Sequence, residues 1–327
     1  MTGTVPVRGV VDGSVHCQHE RVASSLDLDL DLGALRATVD PEAVERFARG
    51  RRTLSRRWNR PHRPRGTPAA RGSGPDWEGL FRLSRFAADN GLVFEPLPGR
   101  PNYPGVMFSP GRLSVGMHVA RRSGGRFFDV GNAQVYLGTT SWGDLVEDFG
   151  FVAVHLGARM PHLLLDARAN NGLLARFGAS FDGRGRVGLE GDFDRHFTLH
   201  CPPGYERDAL YVLTPDLMAL FIDDAGDLDA EIVDDWLLLS SRTPFDLADP
   251  AVWERISAIV SRVGAKTVRR SAGYRDERAQ HAGSVASPGA RLVQRMPVKR
   301  LVAVVAISAL VILAWAVVAT SYVTMNP

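Results

Sequence analysis

Cysteine is nearly absent from this chain of 327 residues, with only Cys17 and Cys201, 184 positions apart. That number and spacing exclude a disulfide scaffold and a zinc site built on paired cysteines. Lysine is as scarce: Lys266 and Lys299 stand against 37 arginines, which reads as codon bias in a GC-rich genome. No G-x-S-x-G, H-E-x-x-H or G-x-x-x-x-G-K-[ST] occurs. The common serine-hydrolase, metalloprotease and P-loop signatures are therefore missing. The first twenty residues, MTGTVPVRGVVDGSVHCQHE, have no apolar stretch, so no signal peptide is read there. What remains is ordinary globular composition, 45% hydrophobic and 23% charged with net charge +3, which argues against a disordered or fibrous chain.

The strongest positive feature is Leu301 to Thr320, twenty positions without a charge. As a helix it would extend about 30 Å, the thickness of a bilayer core. Arg291, Arg295, Lys299 and Arg300 precede it, while SYVTMNP after it has no Lys or Arg. The positive-inside rule then places the bulk of the chain in the cytoplasm and the C-terminus outside. The expected object is a single-pass protein of the cell membrane, anchored by a transmembrane helix over 299–322 with its flanks.

The net charge conceals opposed blocks. Arg46 to Arg71 holds ten arginines and no acid, Asp144 to Glu254 holds 21 acids against eight arginines, and 262–300 holds ten basic residues against Asp276 and Glu277. Residues 60–75 are rich in Pro, Gly and Arg, and 271–290 are small and polar, so both read as linkers. The expected organisation is a flexible Arg-rich arm over 1–75 with a short helix near 40–49, an α+β domain over 76–268, a linker over 269–298, and the span.

Within the body, Asp76 to Asn90 reads as a helix stopped at Asn90 and Gly91. LVFEPL, GVMFS, FFDVGNAQVYL, FGFVAVHL, HLLLDA and FTLHC read as short strands. Thr214 and Pro215 open a helix with Thr as N-cap, EIVDDWLLLS (231–240) returns to strand, and Asp249 with Pro250 caps a last helix ending at Gly264. Strands clustered between helices, without βα alternation, predict α+β with a mostly antiparallel sheet and flanking helices.

Several patterns invite chemistry and fail on spacing. Gly183, Gly185 and Gly188 fit G-x-G-x-x-G, but the dinucleotide mechanism needs a helix to begin there. LEGDFDRHFTLHC alternates like a strand instead, so a hairpin turn is the better account. His196 and His200 would share a metal ion on a helix, but on the expected strand they lie about 13 Å apart. DLDLDLG (27–33) begins like a calcium loop, yet Leu32 stands where Gly is required and Thr38 where Glu is. No cofactor or metal is expected. His162, Asp166, Glu190, Asp192, Asp194 and Asp208 form the densest polar set near strand ends. Converging in a cleft they would supply acid and base; scattered, they are a solvated rim. For the Arg-rich arm, a solvated linker is weighed above anionic lipid headgroups, and nucleic acid last.

The runs PHLLLDARANN (161–171), LEGDFDRHFTLHCPPGYERDALYVLTPDLMALFID (189–223) and EIVDDWLLL (231–239) resemble uncharacterised actinobacterial membrane-associated proteins that carry a domain of unknown function. The resemblance covers about residues 75–265. It implies a mixed α/β domain at the membrane and brings no activity, substrate or catalytic residue. The leading expectation is a non-enzymatic interaction or scaffold protein at the cytoplasmic membrane face, with the bilayer, anionic headgroups and an unidentified protein as partners. A hydrolase built on the carboxylate and histidine set comes second, and a polyanion-binding arm third.

Overall fold

The computed structural model describes residues 26, 28–51, 75–108, 113–122, 128–140, 143–170, 172–176, 181, 185–189 and 191–293. Cys17, Gly183, Glu190, the linker stretch over 60–74, the flanks Arg295, Lys299 and Arg300, and the expected span over 299–322 lie outside them. No helix among the described residues is long and apolar enough to cross a membrane.

The fold is α+β with a mostly antiparallel sheet. In chain order the elements are α1 (Gly33–Arg36), α2 (Pro41–Arg49), α3 (Trp77–Asp89), β1 (Leu92–Glu95), β2 (Leu113–Arg122), β3 (Phe128–Thr140), β4 (Gly143–Ala167), α4 (Leu173–Arg176), β5 (Arg186–Val187), α5 (Phe193–His196), β6 (Phe197–His200), α6 (Glu206–Val212), α7 (Pro215–Ala225), β7 (Asp229–Ser241), α8 (Pro250–Ile259), α9 (Ala265–Gly273) and α10 (Ser287–Ala290). The seven described strands run β1-β2-β3-β4-β6-β5, and β7 pairs along the other edge of β4.

Strand β4 is the spine. FGFVAVHL and HLLLDA, expected as separate strands, are halves of one element of 25 residues. Gly157 lies between them at φ +76, a conformation that glycine adopts without strain. Pairing with β7 shifts register between His155 and Met160 and again between Met160 and Leu163. The strand therefore bends without losing its partner, as bulged strands do.

One sheet face, with Phe128, Val130, Val152, Val154, Leu163, Leu165, Ile232 and Leu237, is covered by helices α3, α7, α8 and α9. Trp253 of α8 is fully buried there. Its ring centroid lies 4.5 Å from that of Phe86, and its indole N–H donates to the Leu247 carbonyl at 2.9 Å. The opposite face, with Ala133, Val135, Phe149, Phe151, Leu164 and Val233, has only a thin cover that includes Tyr103, Val106, Met107 and Phe108. That thin side carries the site.

Helix starts follow their caps. Asp76 accepts from the Gly79 N–H at 3.0 Å and Asp249 from the Ala251 N–H at 2.9 Å, satisfying donors that a helix leaves orphaned. Thr214 takes the N-cap position ahead of Pro215, as expected, but its side chain accepts from no helix N–H; its hydroxyl donates to the Asp216 carboxylate. Other expectations are corrected. GVMFS is a single 3-10 turn, Val106–Phe108, because the Phe108 N–H closes on Gly105 O at 3.0 Å and all three side chains turn into the core. Residues 193–196 are helix α5, and the strand starts only at Phe197; Phe193 and Phe197, four apart, stack at 4.9 Å, a spacing a helix serves as well as a strand. The last helix does not end at Gly264. It passes through a π-turn, Val260–Gly264, into α9, where Ala265, Thr267, Val268 and Ser271 are buried. Strand β2 was not anticipated. Its pairing with β1 and β3 supplies what its glycine-interrupted sequence does not.

Chain outside the expected domain also packs on it. Leu26 and Leu28 are core residues, and Leu30 and Leu32 lie against the core. The Leu28 carbonyl accepts from Ser257 Oγ at 2.5 Å, and Asn90 holds Asp31 through two hydrogen bonds of 2.7 and 2.9 Å. The LDLDLDL alternation is thus a one-sided apolar strip. Helix α2 docks Phe47 against Phe81, with centroids 5.4 Å apart. At the other end, 274–293 wraps back over the sheet. Asp276 anchors it by accepting from Tyr205 Oη and the Ala286 N–H, both at 2.8 Å.

Replacing Trp253 with alanine is expected to cost about 3–5 kcal/mol of stability, read by denaturant unfolding of the full chain.

Candidate functional site

On the thin side of the sheet, the 98–108 loop, the bend of β4, the middle of β7 and the C-terminal wrap border a cleft of about 630 Å³. Its aromatic wall is Tyr103 with Trp236, edge to face with centroids 5.1 Å apart. A smaller cavity of about 250 Å³ adjoins it and shares Arg100, Asn102, Tyr103 and Trp236.

Beneath the cleft runs a chain of hydrogen bonds, of which Val106, His162 and Leu292 reach the lining. Glu231 of β7 accepts from the Val106 N–H at 2.9 and 2.8 Å through its two oxygens. It also meets His162 Nε2 at 2.6 Å. The backbone N–H of Leu292 donates to His162 Nδ1 at 3.0 Å. A backbone N–H only donates, so Nδ1 carries the lone pair and the ring proton sits on Nε2, aimed at Glu231. His162 is thereby a neutral connector with both nitrogens occupied. Gly105 makes the approach possible, since a Cβ there would lie 2.6 Å from Glu231 Oε2.

Arg291 grips Asp234 with two hydrogen bonds, 3.0 and 2.7 Å, and so closes the wrap over the rim. Asp234 sits at φ +52, a region in which Asp is among the more tolerated residues. The Arg291 hydrogen bonds keep its pKa below the ordinary carboxylate value despite partial burial. Asp235 is held by His155 Nε2 at 3.1 Å. Two rim cations differ from these. Arg100 and Arg159 are exposed, line the cleft, and have no hydrogen bond or ion pair with any described residue, the Arg159 charge adding only a further lowering of the Asp234 pKa. In the adjoining cavity, the Tyr103 hydroxyl donates to the buried Asp129. Burial raises Asp129, and Tyr103 and Arg121 oppose that rise.

The sequence-derived polar set comes together only in part. Register places Leu164 of β4 opposite His200 of β6 and Glu231 of β7, so His162, Asp166, His200, Asp229 and Glu231 share the thin-side face. Asp194 instead accepts from the Leu189 N–H at 3.2 Å beside α5, and Asp192 precedes that short helix without capping it. Asp208 lies elsewhere, accepting from Tyr274 Oη at 2.8 Å and pairing with Arg278 at 3.0 Å. His196 ends α5 while His200 ends β6, and no group of three or more metal-ligating side chains occurs among the described residues. Gly185 and Gly188 flank β5, which pairs antiparallel with β6. That is a β-ladder and not a helix start.

Arg100, Tyr103, Arg159, Glu231 and Trp236 were not singled out by sequence. The PGRPNYPG loop did carry a signal, an arginine, an asparagine and a tyrosine held between prolines and glycines, and Trp236 is the one aromatic residue of strand β7.

No protein-family model and no curated protein matches the chain. Among solved structures it is similar to the mycobacterial trehalose monomycolate transport factor A, TtfA, over 59% of this chain and 94% of that one, with 14% identity and a TM-score of 0.39. A similarity that distant assigns neither fold nor function.

Asp229 reports on this face. Burial pushes its carboxyl from 3.8 up to about 7, opposed by the Ala167 N–H and reinforced by Asp166. Between about pH 4 and 7 the folded chain holds a proton that the unfolded chain releases, so this group's contribution to stability falls as pH rises through that window. The stability difference of Asp229→Asn relative to the parent is expected to shift in the variant's favour from pH 5 to pH 8, measured by denaturant unfolding at both.

Proposed function

We propose that this protein is a membrane-anchored binding module whose body offers a cationic cleft to a ligand bearing an oxyanion, a phosphate or a carboxylate. One observation carries the reading. Within the cleft, His162, Asp234, Asp235 and Arg291 are hydrogen-bonded to protein partners, whereas Arg100 and Arg159 make no hydrogen bond or ion pair with any described residue, Arg159 acting on Asp234 only through its charge. Guanidinium groups match oxyanions geometrically as well as by charge. A cleft of this size, with an aromatic wall and a few converging polar groups, has the dimensions of a small-molecule site.

Anchoring rests on the apolar run Leu301–Thr320 and its basic flank. Val293 precedes Leu301 by eight positions, at most about 29 Å of extended chain, so the cleft stays near the headgroup layer. Arg291 belongs both to the flank and to the rim of the cleft. The body then lies on the cytoplasmic side.

Inorganic phosphate titrated into the full chain in zwitterionic nanodiscs is expected to bind saturably. The double variant Arg100→Ala, Arg159→Ala should weaken that binding about tenfold or more. Equal affinity in the variant, or no saturable binding in the parent, overturns the reading. Topology has a separate test. In sealed inside-out vesicles added protease should digest the body, and in right-side-out vesicles it should not.

A further inference from the structure

A second cavity lies beside the first. Phe181, His200, Pro203, Leu292 and Val293 line about 280 Å³ next to β6. Its walls are mainly apolar: the Phe181 ring packs 5.1 Å from that of His200, and Val293 stands 67% exposed at its mouth. Nothing here favours a charge. Burial, with the Arg186 charge nearby, holds His200 below its ordinary pKa, and burial pushes the neighbouring Cys201 thiol up to about 12, which leaves it protonated and unreactive.

Leu292 lines this cavity and the arginine-rimmed cleft alike. Its position is fixed by its own N–H on His162 and by Arg291 on Asp234. The exposed guanidinium groups of Arg100 and Arg159, without a hydrogen bond to any described residue, therefore lie on one side of a single leucine and an apolar hollow on the other. Polar headgroup and hydrocarbon tail are the two halves of one class of molecule.

We propose that the two cavities form one site for a single-chain anionic amphiphile, its oxyanion between Arg100 and Arg159 and its tail passing Leu292 into the hollow lined by Phe181, Pro203 and Val293. This deepens the oxyanion reading above and rests on it. Val293, at the mouth of the hollow, precedes the apolar run Leu301–Thr320 by eight positions, at most about 29 Å of chain.

The test is a chain-length series. Inorganic phosphate and butyl, hexyl and octyl phosphate are titrated into the full chain in zwitterionic nanodiscs, with empty nanodiscs correcting for partition. Affinity should rise about two- to fourfold per added methylene. Val293→Asp should abolish that rise while keeping the parent's unfolding transition, and Val293→Ile should retain it. Phosphate binding without any chain-length dependence overturns this proposal and leaves the oxyanion reading intact; failure of every member to bind removes both. Octanol binding as tightly as octyl phosphate also overturns it. Nanodiscs doped with lysophosphatidic acid separate the sources. Competition with octyl phosphate upholds the proposal with a bilayer lipid as ligand, and octyl phosphate binding without competition upholds it with a soluble one.

Discussion

The carboxylate of Glu231 joins four separated parts of the chain. It takes the Val106 N–H from the loop between β1 and β2 and the Nε2–H of His162 from β4. Through the imidazole it takes up the Leu292 N–H, 61 positions further along the chain. A carboxylate this buried is costly without partners. Because each partner comes from a different segment, the cost is offset only when loop, sheet and wrap are all in place. Buried polar chains of this kind specify one arrangement more than they add stability. The cleft is the space these segments leave between them.

Strand β4 supplies the geometry on which that network rests. Its first half pairs with β3 and its last residues with β6 on one edge, while β7 follows it on the other. The bend at Gly157 puts Arg159 at the rim and His162 on the floor a few residues apart. A straight strand of this length would carry them past the cleft. The helical layer covers the opposite face and contributes no cleft residue. It supplies the burial, with Trp253, Phe86 and Phe221 fully enclosed, that lets the thin side remain open.

Much of the fold was legible locally. The helix from Trp77 was readable from an apolar side and a stop at Asn90 and Gly91, and the one from Pro250 from an aspartate cap, a proline and an apolar face. Strand β7 was readable from EIVDDWLLLS, and antiparallel α+β from the grouping of strands. Where reading failed, two local patterns were equally satisfied. Phe193 and Phe197 suit helix or strand, and GVMFS suits a buried strand until Glu231 claims the Val106 N–H. The site was less legible than the fold. Of the six polar residues read as a set, His162 and Asp166 share the thin-side face, Asp194 ties the turn before α5, Asp192 precedes that helix without capping it, Asp208 serves the wrap, and Glu190 lies outside the described residues. Proximity in sequence to a strand end says nothing of which sheet face a carboxylate takes.

The sequence by itself determined the apolar C-terminal run, the alternation of basic and acidic blocks, the class of the fold and the starts of helices α2, α3, α7 and α8. These depend on composition and on interactions within a few residues, which a chain carries wherever it goes. Only the tertiary structure decided that residues 26–32 and 274–293 belong to the body, that β4 is one bent strand, and that Arg100, Arg159 and Trp236 meet in a cleft. Those facts depend on pairing across 60 to 230 positions, where register and face are set by what else is buried. Even the protonation of His162 is such a fact. It is assigned by a backbone N–H 130 residues away.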